Sequence, residues 1–314
     1  MLYYSFISTC ILQLFPSVPL DVVYKMLMEA SKVEGGMKRM EERDQYFGRI
    51  FGILSLFRSC RFLNDSPSET VTTVVENCAK EVVSLYTLKS WIRELCVQTI
   101  STMIKTVHPD LVVVILTQCR SLFEEVKEEE NDELIVPIDL SPASLLLLLQ
   151  IQIILHDRSI SLNNSELTRL YINNPEITPS HLKTFMTLYK ESSFTFPKLH
   201  PLWDTSIHFI QSLSSTPDVT LMEWWTAVTD QVLSTSPERK GYIHFSWIIN
   251  RMCLKVCQML FPLVSSSMLP MLLNDKICTV ISSNSGNSKN YLHEQTLHLL
   301  EFLVTVIVIH FSYL

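Results

Sequence analysis

In four places the residue types and their spacing could do chemistry. Cys253 and Cys257 stand four apart in one helical pattern, as half of a metal site would. No second Cys or His pair lies near them at ligand spacing, so buried thiols in a reducing compartment are expected instead. The acidic run EEVKEEENDE at 124–133 concentrates carboxylates. It is expected to lie on a flexible connector, with no catalytic base and no phosphate-gripping lysine loop beside it, and the chain holds no Asp-x-Asp pair for two metals. Such a run is solvated surface. His200 adjoins Pro201 and precedes Trp203 by three residues. As a functional group it lacks a nameable partner, so it is expected to hydrogen-bond a helix end. Lys38, Arg39 and Arg43 come nearest to a basic cluster, and Glu41 and Glu42 interrupt it.

No Gly-x-Ser-x-Gly elbow occurs, and the 9 histidines are scattered singly. The expectation is therefore no catalytic residue, no cofactor site and no metal site. A net charge of −7 argues against a general nucleic-acid surface, which needs clustered Lys and Arg to displace counterions. The start of the chain lacks the basic lead and small-residue cleavage site of a signal peptide. The apolar end, LHLLEFLVTVIVIHFSYL, contains Glu301 and His310 and has no basic flank. A buried last helix is expected there, in a piece of a longer chain.

Whatever these residues do, helices must hold them. The chain has 6 glycines, and its 14 prolines fall largely between apolar periodic stretches, where they end helices and start turns. Helical patterns run through 4–14, 20–33, 41–62, 69–86, 88–106, 110–127, 142–156, 178–190, 200–213, 219–234, 241–260, 265–282 and 291–311. Ser68, Ser141 before Pro142, and Asp218 are start signals. VVVIL at 112–116 continues in helical register behind Pro109 and Asp110. Charged residues are 18% of the chain and apolar ones 47%, which suits helices buried on more than one side. The expected fold is all-α, a HEAT- or armadillo-like solenoid or an irregular helical array without a clean sequence repeat. Its expected organisation is an N-terminal helical lobe at 1–128, an acidic and Pro-containing linker at 129–141, and a second lobe at 142–314, or one continuous solenoid. A Leu-x-x-Leu-Leu pattern within SLLLLLQ at 144–150 suits core packing better than partner docking.

One helix places two glycines in its interior, at about 1 kcal/mol each against Ala. Gly48, Gly52, Ser55 and Ser59 share one arc, and Phe47, Ile50, Phe51, Leu54 and Phe57 another. The small stripe is expected to admit a neighbouring helix while the bulky face fills the opposite side. Arg43, Arg49, Arg58 and Arg61 exclude lipid around it, and glycines inside a helical pattern exclude a phosphate loop.

ERDQYFGRIFGILSLFRSCRF resembles the hallmark segment of the DNA polymerase V (phi)/Myb-binding protein 1A family, with Arg43, Gly48, Phe51 and Gly52 on its motif. YYSFISTCILQLF, KSWIRELC with Trp91, FPKLHPLWD with His200 and Trp203, and FSWIINRMCLKV with Trp247 are similar to further family segments, in the same order. The three tryptophans are expected as core anchors between helices. The resemblance implies a non-enzymatic helical-repeat scaffold of the nucleus and nucleolus, acting in transcription regulation and ribosomal RNA production. Its implied partners are transcription factors or pre-ribosomal and nucleolar proteins, with DNA contacted through parts of the family chain not present here. No membrane and no small-molecule substrate are implied. The family's name leaves open a DNA-directed DNA polymerase, and the apolar end leaves open a membrane-tethered helical protein.

Overall fold

A computed structural model of the chain describes residues 2–64, 67–129, 132–137, 140–171, 187–188, 191–192 and 200–212. The chain divides into two compact units, Met1–Asn173 and Asn174–Leu314. The acidic stretch at 124–133 therefore lies inside the first unit.

That unit is built from α1 (Leu2–Leu14), α2 (Leu20–Ala30), α3 (Arg39–Arg58), the short α4 (Arg61–Asn64), α5 (Glu69–Leu88), α6 (Arg93–Thr106), α7 (Pro109–Cys119), α8 (Pro142–Asp157) and α9 (Ser165–Tyr171). The packing is layered. In one row α3 lies against α1, α6 against α3 and α8 against α6; in the other α5 lies against α2 and α7 against α5. The rows meet where α2 touches α3 and α5 touches α6. This alternation is the all-α helical array that the periodicity predicts.

Helix starts follow the local chemistry. Ser68 accepts the Val71 N–H at 3.3 Å, and Ser141 accepts the Ser144 N–H at 3.1 Å with Pro142 next in line. A second device appears twice, where a His-Pro pair opens a helix. His108 Nδ1 accepts from the Asp110 N–H at 3.4 Å, and His200 Nδ1 from the Leu202 N–H at 3.1 Å. His200 is thus the helix-end histidine expected, opening α10 (Pro201–Ser212) in the second unit. Leu145–Leu149 are buried in α8, so their pattern belongs to the core.

Helix ends are tied by arginines. The last carbonyls of a helix lack intrahelical partners, and a guanidinium can satisfy them. Arg49 donates to the Ser31 carbonyl at 2.6 Å beyond α2 and pairs with Glu81 of α5. Arg61 donates to the Pro16 and Val18 carbonyls, both at 2.7 Å. Arg93 donates to the Tyr86 carbonyl at 3.2 Å. Arg158 donates to the Val107 carbonyl at 2.9 Å and to that of Ile104, and burial lowers its pKa.

Three expectations need correction. The helix read through 41–62 breaks at Ser59–Cys60, where Cys60 takes φ 59°, a left-handed conformation, before α4 begins. The helix read through 110–127 stops at Cys119 and closes in a 3₁₀ turn, Arg120–Leu122. The acidic run is not a plain loop either. It forms an antiparallel hairpin, β1 (Glu124–Glu129) and β2 (Asp132–Pro137), with Val126 opposite Ile135. Charge masked this β-forming register. The hairpin is moored at its base, where Glu124 takes Arg120 at 2.8 Å and Arg169 at 2.7 Å.

Candidate functional site

Gly52 is where α3 meets α2. A Cβ added there would stand 2.1 Å from Leu27 Cδ1 and 2.7 Å from Cδ2, so any larger residue has to displace the Leu27 side chain. At Gly48 the same test finds nothing within 4 Å. Ser55 and Ser59 turn their hydroxyls onto carbonyls of their own helix, Gly52 at 2.7 Å and Leu56 at 2.6 Å. The small-residue stripe thus admits its neighbour at Gly52, and Gly48 falls outside the contact.

Phe57 is fully buried with Ile50, Ile53 and Leu54. Phe47 and Phe51 belong elsewhere. Their rings stack with centroids 6.0 Å apart, and Phe47 meets Trp91 at 5.4 Å. The expectation that Phe47 and Phe57 fill one face is corrected accordingly.

Trp91 also departs from its expected place as a core anchor, being 47% exposed. The cause is the break between α5 and α6. Lys89 is extended at φ −136°, ψ 113°, and Ser90–Ile92 form a single 3₁₀ turn that carries Ile92 into the core and Trp91 outward. Its indole lies over the beginning of α3, where Arg43, Tyr46 and Phe47 share a helical face at three- and four-residue spacing. The Arg43 guanidinium sits over both neighbouring rings, 5.3 Å from the Phe47 centroid and 5.6 Å from that of Trp91. Both distances are in the range of cation–π attraction.

Beside them lies a polar half. Lys89 Nζ reaches Glu42 at 2.9 Å, and the Tyr46 hydroxyl donates to the same carboxylate at 3.0 Å. The bonds from Lys89 and Tyr46 hold Glu42 below the usual glutamate range, and Glu42 raises Lys89 in turn. Tyr46 is raised by burial first and by Glu42 second. With Arg39 and Met40 at the rim, these side chains enclose a cleft of about 730 Å³.

The cleft can recognise. Its cations draw anions, its ring faces take apolar or planar groups, and its one carboxylate is already held by a lysine and a phenol. Of the sequence-singled residues, the structure gathers Arg43, Phe51 and Trp91 in or next to this site. Gly52 serves packing, and His200 opens a helix in the other unit. Trp203 lies on α10, its side chain outside the described residues, and Trp247 and the Cys253/Cys257 pair fall outside them altogether. The sequence reading passed over Met40, Glu42, Tyr46 and Lys89. A basic residue one turn before an aromatic, as at Arg43 and Phe47, is the signal that was available.

Among the described residues no helix is long and apolar enough to cross a membrane. A family model described as DNA polymerase phi matches residues 1–308. No curated protein and no solved structure matches the chain.

Proposed function

The chain belongs to the DNA polymerase phi family, and from that premise we propose that it is a non-enzymatic helical-repeat scaffold of the nucleus and nucleolus. In this reading it serves transcription regulation and ribosomal RNA production by holding protein partners, transcription factors or pre-ribosomal proteins, with DNA reached through other parts of a longer chain. One observation carries the reading: the cleft at α3 combines open ring faces and cations with a carboxylate already bound to Lys89 and Tyr46. Both of those bonds fall on one oxygen of Glu42, Oε1, and fix the carboxylate as part of the cleft wall. The arginine-tied joints between helices also suit a rigid surface for partners.

The family's name supports a second reading, a DNA polymerase. Primer extension by the purified chain with template, deoxynucleotides and magnesium separates the two. The scaffold predicts no incorporation above a heat-treated control. Incorporation that falls when acidic residues in 124–133 are neutralised overturns it. Immunostaining of the tagged chain tests the location, and a cytoplasmic distribution would refute the nucleolar part.

A further inference from the structure

We propose that the cleft between the first turns of α3 and the Lys89–Ile92 connection binds an acidic peptide segment that carries one aromatic or long apolar side chain. The proposal deepens the scaffold reading and rests on it. Arg43 carries the argument furthest. Arg49, Arg61, Arg93 and Arg158 spend their donors on carbonyls. Arg43 is exposed, with its guanidinium carbon 5.3 and 5.6 Å from two ring centroids, and among the described residues no carboxylate or carbonyl is bonded to it. Its donors are open to an entering group, and a guanidinium takes a carboxylate on two of them.

The surroundings agree. Arg39, Arg43 and Lys89 stand against the single carboxylate of Glu42, a local positive excess in a chain of net charge −7. The beginning of α3 lies at the rim, and its dipole adds to the attraction for anions. Met40, 77% exposed, and Trp91 leave apolar surface uncovered beside the cations. Exposed Trp and Arg in a concave site are the residue types that anchor partners.

Charge and size favour a peptide over a nucleic-acid strand. A strand follows a continuous track of cations past several stacking rings. Here the cations Arg39, Arg43 and Lys89 are gathered in one cleft of about 730 Å³ rather than along a track, and exposed Glu41 and Asp44 beside it limit any anionic ligand to a short segment. A short acidic segment with one anchor matches both the confinement and the mixture of charge with aromatic surface.

The test uses the full chain and fluorescence anisotropy. The probes are a labelled Asp/Glu-rich peptide with one Trp, the same peptide with that Trp replaced by Ala, a Lys-rich counterpart, and an oligo-dT. The acidic Trp peptide should bind, more weakly as salt rises, and the Lys-rich one should not. Trp91→Ala should weaken binding about ten-fold and Arg43→Gln several-fold, with helicity by circular dichroism unchanged. If Trp91→Ala loses helicity, Arg43→Gln decides alone. Equal binding of acidic and basic peptides, indifference to Arg43→Gln, or tighter binding of oligo-dT through the same residues would overturn the proposal. Failure here with no primer extension leaves a scaffold that works through another surface. Primer extension defeats the scaffold reading whatever the peptides do.

Discussion

From Arg39 to Phe47, α3 carries cations and rings into a cleft; from Ile53 to Phe57, every side chain of the same helix is buried. A helix at a protein surface usually changes character around its circumference. This one changes along its axis: its second half is buried, with Gly52 on Leu27 of α2, while its first half emerges beside the Lys89–Ile92 turn. Gly48 and Gly52 mark the transition, one open and one pressed on Leu27. The lesson is that a helical-wheel view, which collapses the axis, merges two environments into apparent faces.

The sharpest way to break the comparison is to cut a ring from the enclosed half. Phe57→Ala removes a fully buried ring and should cost about 3–5 kcal/mol in urea unfolding. An effect below about 1 kcal/mol would mean that the second half is not core. The glycines come next, with opposite signs. Gly52→Leu should destabilise by about 1–3 kcal/mol through overpacking on Leu27, whereas Gly48→Ala should stabilise by up to about 1 kcal/mol from helix propensity. Equal responses would erase the boundary between them. The smallest effect belongs to the exposed half. The folded pKa of Glu42 is depressed, so the contribution of its tie to Lys89 and Tyr46 is present above the ordinary glutamate range. It is lost as pH falls through the lowered value. Carboxyl NMR titration should show Glu42 moving back up in Lys89→Gln; an unchanged titration would refute the assigned cause.

Most of the array was legible because its signals are local. Ser68, Ser141 with Pro142, and the Leu run of α8 each act within a turn or two of helix. Gly52 was legible in part: a close neighbour is one reason for a glycine in mid-helix and holds there, but the same reasoning fails at Gly48, where nothing stands within 4 Å. The cleft was not. It depends on a turn at Lys89 that no Gly or Pro announces, and on bringing Trp91 to Arg43 from a distant stretch of chain. The hairpin was missed because composition outweighed register: Glu128 opposes Glu133 and Glu129 opposes Asp132, like charges that a sheet-forming sequence avoids.

The arginine ties have a consequence for inheritance. Arg61 holds oxygens from Pro16 and Val18, and Arg158 holds those of Ile104 and Val107. In each case the receiving residue gives the tie only its main-chain oxygen, so the tie itself asks nothing of that side chain, although Ile104 and Val107 are also fully buried. Pro16 is exposed and its side chain is free of the tie, whereas Ile104 and Val107 are held by the core as well. Where the receiving side is exposed, a joint can therefore keep its geometry while its sequence changes.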